Sequence, residues 1–154
     1  MVVSTVASST FIRDFVLYFR DRLTTLLTDP LSSRQGDNKF IMTSYPTRQT
    51  QFPIITIVDA GQTNMRRLGM QSSNILLRLA VEIRVWGRSE PEKDLIAQEI
   101  INDLRSDQFT ASVGAINAGL HDFKIDSVVN VSEGGESGIK SKIIRISYLY
   151  LMTS

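Results

Sequence analysis

The segment 74–87, NILLRLAVEIRVWG, constrains the fold more than any other part of the sequence. Its residues alternate, and one face carries only aliphatic side chains: Ile75, Leu77, Leu79, Val81, Ile83 and Val85. Such strict alternation is typical of a β-strand that buries one face and leaves the other mixed. At about 1.5–3 kcal/mol for each fully buried aliphatic side chain, this face is the main hydrophobic anchor of the chain. We therefore predict a long strand inside a sheet rather than at its edge.

The composition favours one folded domain. A chain of 154 residues is long enough for one hydrophobic core, and 42% hydrophobic with 21% charged residues gives no indication of general disorder. The net charge of +1 gives no bulk attraction to nucleic acid or to an anionic membrane. The absence of cysteine excludes disulfides and thiolate metal sites. Without a long apolar run or a signal-peptide pattern, we expect a soluble protein that acts without secretion.

Two segments have the pattern of amphipathic helices. Apolar and aromatic residues recur at spacings of three and four from residue 11, and Ser9 or Thr10 is expected to cap this helix. The dipeptide Asp29-Pro30 is expected to end it, because a residue before proline avoids helical geometry. The sequence SEPE at 89–92 is a capping box with proline in the first turn, which predicts a second helix ending near Asp107.

The remaining β-rich segments complete a sheet. They predict strands at 39–45, 52–59, 121–131 and 139–152. On the strand 121–131, one face is expected to carry Phe123, Ile125, Ser127, Val129 and Val131. The resulting order is α-β-β-β-α-β-β, which predicts an α+β fold with a largely antiparallel sheet packed on one face by two helices. We expect a single domain over residues 1–154, with a flexible N-terminal tail at residues 1–9.

Residues that carry chemistry are sparse in this sequence. The one histidine, His121, has neither a second histidine nor a cysteine with which to form a zinc site of the usual kind. Asp122 and Asp126 lie nearby, but nothing in their spacing favours paired-carboxylate catalysis. The glycines at 114–119 and 134–138 lack the spacing of phosphate-binding or dinucleotide-binding loops. We therefore expect no catalytic, cofactor or metal site, and no enzyme activity.

The segment 60–73, AGQTNMRRLGMQSS, is predicted to be a loop too long for a tight hairpin turn. It places Met65, Leu68 and Met70 beside Arg66 and Arg67. In one interpretation its apolar residues fold back over the core. In the other the segment is an assembly arm that contacts a neighbouring subunit, because methionine and arginine are enriched at protein interfaces.

Arg78 and Arg84 share the mixed face of the segment 74–87, with Glu82 between them. This spacing favours cross-strand pairing over a nucleic-acid groove. Few aromatic residues lie among the basic ones, so a stacking platform for single strands is not indicated either. We include both arginines with the arm residues in a candidate interface with a subunit or another protein partner.

The order of these elements resembles the tail terminator, or tail completion, proteins of long-tailed bacteriophages. An amphipathic helix is followed by FPIITIVDAG, then by VEIRVWGRS, and then by the capped helix PEKDLIAQEIINDLR and two final strands. The resemblance covers residues 11–151. Neck and head–tail joining proteins share much of this pattern, so a head–tail connector or neck adaptor is an alternative. A monomeric protein-binding adaptor domain is an alternative of another class.

The resemblance implies a structural role in the virion. Proteins of this family form a ring, usually a hexamer, that binds the last ring of tail tube protein and stops polymerisation. The ring then offers a joining surface to the head-completion or connector protein, and genome DNA only passes through its lumen. The implied location is the tail or neck of the virion, and the host cytoplasm during assembly. The resemblance implies no catalytic residue, cofactor or membrane contact.

Overall fold

The chain forms two α-helices and five β-strands in a computed structural model that describes residues 6–31, 40–44, 53–67, 74–108, 114–116, 118–133 and 139–152. The helices are α1 (Phe11–Leu26) and α2 (Glu90–Asp107), and a 3-10 helix at Ser8–Thr10 precedes α1. The strands are β1 (Ile41–Met42), β2 (Ile54–Arg67), β3 (Ile75–Gly87), β4 (Leu120–Glu133) and β5 (Ile139–Met152).

All five strands belong to one sheet in the order β1-β2-β3-β5-β4. Neighbours are antiparallel except for β1 and β2, which pair in parallel. β3 lies in the centre and pairs with β5 along its whole length, from Ile75↔Met152 to Gly87↔Lys140. The predicted α+β fold, its largely antiparallel sheet and the internal position of this strand are therefore confirmed.

The core lies between the aliphatic face of β3 and the two helices. Leu79, Val81 and Ile83 are fully buried there, as the alternation predicts. Both helices supply apolar side chains to this core, namely Phe15, Phe19 and Leu23 from α1 and Ile96, Ile100 and Leu104 from α2. We call this side of the sheet the helix face and the opposite side the second face.

β2 is longer than the sequence predicts. It continues to Arg67, eight residues beyond the expected end at residue 59, so residues 60–67 are not part of a loop. Two irregularities in its register with β3, between Asp59 and Gly61 and between Asn64 and Arg66, interrupt the alternation. Gly61 accommodates the first with a φ of 107°, which glycine adopts without a steric penalty. Residues 60–67 remain paired with β3 apart from these two irregularities, and the alternation of the sequence does not predict this pairing.

The start of α1 also differs from the expectation. Neither Ser9 nor Thr10 caps the helix: Thr10 occupies the N-cap position without a side-chain cap bond. Its hydroxyl donates instead to Oδ2 of Asp14 at 2.7 Å. Upstream, Val6 is buried and its N–H donates to the carbonyl of Ala118 at 3.1 Å. The segment expected to be a flexible tail thus contains a packed residue, while residues 1–5 lie outside the described part.

The start of α2 follows the sequence prediction. Oγ of Ser89 accepts the N–H of Glu92 at 3.4 Å. The carboxylate of Glu92 accepts the N–H of Arg88 at 3.0 Å, one residue earlier than in a standard capping box. The first turn also buries the Lys93 side chain, whose Nζ donates to Glu90 at 2.5 Å and to Asn130 of β4 at 3.1 Å. These bonds tie the beginning of α2 to the sheet.

Candidate subunit interface

The second face of the sheet carries the charged side chains of β3. Glu82 pairs in register with Val58 on β2 and with Arg145 on β5. Nη2 of Arg145 donates to the Glu82 carboxylate at 3.3 Å, which confirms the predicted cross-strand pairing of this glutamate. Because the Arg145 side chain is 55% exposed, water screens the pair and it contributes little to stability.

Arg78 connects β3 to β4 across the intervening strand β5. Its Nη2 donates to the carboxylate of Asp122, and its Nη1 donates to Oγ of Ser147 at 3.1 Å. The hydroxyl of Ser147, which is fully buried, donates in turn to Asp126 at 3.1 Å. With its side chain only 18% exposed, Arg78 holds the N-terminal half of β4 in place.

The partner of Arg78 has an unusual backbone. Asp122 has a φ of 54° and lies within a register irregularity of β4 between His121 and Lys124. Positive φ is uncommon outside glycine, and bulges concentrate at sheet edges. No feature of the sequence distinguished Asp122 as an ion-pair partner of Arg78, because the two residues are 44 positions apart.

Arg84 lies at the other end of the same face. Its Cζ is 4.2 Å from the ring centroid of Trp86, and its Nε donates to Oγ of Ser141 at 3.2 Å. A guanidinium over an indole ring gains a cation–π attraction. Both candidate arginines on β3 therefore share the second face, as predicted, and each contacts other residues of its own chain.

The arm residues divide between two locations. Met65, Arg66 and Arg67 lie at the end of β2, where Arg66 pairs with Leu76 and Arg67 with Ile75. Leu68 and Met70 lie outside the described residues. In the register of the sheet, Arg66, Leu76 of β3 and Leu151 of β5 lie in one row. Their role as an interface stays a prediction.

Several exposed aliphatic side chains lie on the two faces of the sheet, and the sequence did not single them out as contact residues. On the second face Val58, Val129 and Leu151 are 41%, 50% and 40% exposed. On the helix face, Ile125 and Val128 of β4 remain 37% and 44% exposed. These positions are spread over the sheet: β3 and β5 lie between Val58 and Val129, and Leu151 is six residues beyond Arg145 on β5. Exposed apolar side chains beside arginine are compatible with a protein contact surface.

The predicted common face of β4 is wrong. Ile125 pairs with Ile146 on the helix face, whereas Val129 pairs with Ile143 on the second face. The register irregularity between Ile125 and Ser127 separates them, because one extra residue moves every following side chain to the other face. β4 consequently exposes aliphatic side chains on both faces of the sheet.

One further ion pair joins the two helices. Arg22 of α1 forms an ion pair with Asp107 of α2, and the hydrogen bonds that Arg22 donates to Asp107 raise the pKa of Arg22. Burial, with a further effect of the Asp107 charge, raises the pKa of Tyr18. Among the described residues, no group of three or more histidine, cysteine, aspartate or glutamate side chains is placed to hold a metal ion.

The lone histidine lies apart from these internal charges. His121 is exposed near the start of β4.

Within the described part of the chain, no helix has the length and hydrophobicity to span a membrane. In comparisons with known proteins, no family model and no curated protein matches this chain.

Proposed function

We propose that this chain is a structural virion protein of the tail terminator type. It forms a ring, a hexamer, that caps the tail tube, ends tail polymerisation and provides the joining surface for the head connector. The order of its elements supports this role, and the second face of the sheet is the observation that carries it. There, exposed Val58, Val129 and Leu151 lie on the same face as arginine-containing ion pairs. Apolar side chains mixed with arginine suit a protein contact better than a substrate pocket.

In this proposal the protein acts by binding and not by catalysis. A cyclic ring needs heterologous contacts, in which one patch of a subunit meets a different patch of the next. The tail tube protein and the head-completion protein are the other partners, and genome DNA passes through the lumen without being read. Mixed charges, such as Glu82 and Arg145, set the orientation of neighbouring subunits more than their affinity.

The first test is the solution mass of the full chain, measured by light scattering after size exclusion, with negative-stain images of the same fraction. We expect a closed six-membered ring, and purified tail tubes capped at one end when the protein is added. A twelve-fold ring that binds the portal would assign the chain to the head–tail connectors instead. A protein that stays monomeric and leaves tube ends uncapped would overturn the proposal.

The arm can be tested separately. The double variant Arg66→Glu with Met70→Asp is expected to keep the fold, measured by circular dichroism, but to lose ring formation. A matched control makes the same charge change on the outer side of α2, with Arg105→Glu and Leu95→Asp, because both positions are exposed. An unchanged oligomer mass in the arm variant would remove this segment from the interface.

A further inference from the structure

One edge of the sheet is a long strand with no described partner on its outer side. β4 pairs with β5 alone, and from Ser127↔Arg145 to Glu133↔Ile139 the register is regular. The sequence of this regular part, SVVNVSE, contains neither the lysine nor the proline that often protects a sheet edge. Val128 and Val129 in its middle are 44% and 50% exposed on opposite faces. Such an edge is a template for another strand.

The opposite edge of the sheet is also only partly covered. β1 pairs with β2 at Ile55 and Thr56. Along residues 58–67 of β2, no strand in the described part of the chain pairs with the outer side. The side chain of Val58, at the start of this stretch, is 41% exposed on the second face. One subunit therefore presents two different strand edges, each about ten residues long or longer.

The directions of these two edges are compatible. Successive antiparallel pairings of β2 with β3, β3 with β5 and β5 with β4 make β2 and β4 run in opposite directions. A second copy placed beside the first in the same orientation therefore brings its β2 antiparallel to β4. A contact between two different edges repeats from subunit to subunit and closes into a ring if the rotation allows.

The charges on the two edges are compatible as well. The N-terminal half of β4 carries Asp122 and Asp126 with Lys124 between them, and Arg66 and Arg67 end β2. Within its own chain Asp122 pairs with Arg78, and Asp126 accepts from Ser147. Antiparallel pairing brings the beginning of β4 toward the end of the neighbouring β2. Acidic and basic residues then lie at the same end of the contact, an arrangement that favours one register over others.

From these observations we infer that β4 of one subunit adds as an antiparallel strand to the uncovered edge of β2 in a second copy of this chain. Backbone hydrogen bonds join the two sheets, and Val129 and Val58 are covered at the junction. The closure of this contact into a ring rests on the proposed function, whereas the pairing of the two edges does not. The occupant of each edge is another copy of the same protein.

The two edges can be blocked one at a time. Val129→Lys places a charge on the β4 edge and Val58→Lys places one on the β2 edge. Both side chains are exposed, so each variant is expected to fold. Light scattering over a concentration series should show that either variant needs at least about tenfold more protein than the unmodified chain to assemble. Leu95→Lys is the matched control, since Leu95 is 71% exposed and belongs to α2 and not to an edge strand.

Mixing the two blocked variants identifies the pairing. The Val129→Lys chain keeps an intact β2 edge, and the Val58→Lys chain keeps an intact β4 edge. We expect each variant alone to be monomeric and the equimolar mixture to form a one-to-one dimer that grows no further. If β4 paired with β4 of another copy, Val58→Lys would associate by itself and mixing would add nothing, which would overturn the inference.

The edge contact and the proposed function fail in distinguishable ways. Rings that form equally well from both lysine variants would overturn the edge pairing and leave the ring proposal intact. An unmodified chain that stays monomeric across the concentration series would also overturn the edge pairing as a contact between copies. Capping of purified tail tubes, scored in the same samples by negative stain, reports on the proposed function independently.

Discussion

The ion pair between Arg22 and Asp107 joins the two helices across 85 positions of sequence. Nε of Arg22 donates to Oδ2 of Asp107 at 2.9 Å, and Nη2 donates to Oδ1, so the pair is bidentate. The side chains are 13% and 4% exposed. Solvent therefore screens this pair much less than a surface pair, and the loss of one partner leaves the other charge largely buried.

We predict that Asp107→Ala lowers the free energy of unfolding by about 3 kcal/mol, at the lower end of the range for breaking a buried pair because Arg22 keeps some contact with water. Replacing both partners by apolar residues of similar length, Arg22→Met with Asp107→Leu, leaves no unpaired buried charge. The double variant is expected to lie within about 1 kcal/mol of the unmodified protein.

Denaturant unfolding at pH 7, followed by circular dichroism, measures these differences. Glu82→Ala is the control, because its partner Arg145 is 55% exposed and the pair is expected to contribute less than about 1 kcal/mol. A loss below about 1 kcal/mol for Asp107→Ala would show that water screens the helix pair equally well. If the double variant is as unstable as Asp107→Ala, the loss in free energy of unfolding comes from packing and not from the unpaired charge.

Two further predictions concern local contacts. Burial favours a raised pKa for Asp14, but hydrogen bonds from Thr10 and its other partners outweigh burial and lower the pKa. The stabilisation is therefore present above the unfolded-state pKa and is lost as the pH falls through the lower folded-state pKa. In the Asp14→Asn variant, the free energy of unfolding should consequently depend less on pH below about pH 4. An unchanged pH dependence would contradict this prediction. At the end of β3, a Cβ on Gly87 would lie 2.8 Å from Cβ of Lys93, so Gly87→Ala should lower the free energy of unfolding, measured in denaturant, by about 1–3 kcal/mol. An unaffected Gly87→Ala variant would show that α2 moves away at little cost.

The features that the sequence predicts depend on local periodicity. Alternation along β3 identifies its buried face because successive side chains of a strand point to opposite sides. The capping box at Ser89 and Glu92 identifies the start of α2, because its hydrogen bonds join residues within one turn. The shared face of Arg78 and Arg84 follows from the same alternation. None of these inferences needs to know which strands are neighbours.

The tertiary structure decides what depends on distant pairing. β2 extends to Arg67 because β3 is long enough to pair with it, although the intervening sequence no longer alternates. The face on which Val129 lies is set by an irregularity against β5. The partner of Arg78 is Asp122, and only the order β3-β5-β4 brings the two together. Register and strand order arise from contacts between residues far apart in sequence, so local patterns do not predict them. In the described part of the chain, the same strand order leaves the edges of β2 and β4 uncovered along most of their length.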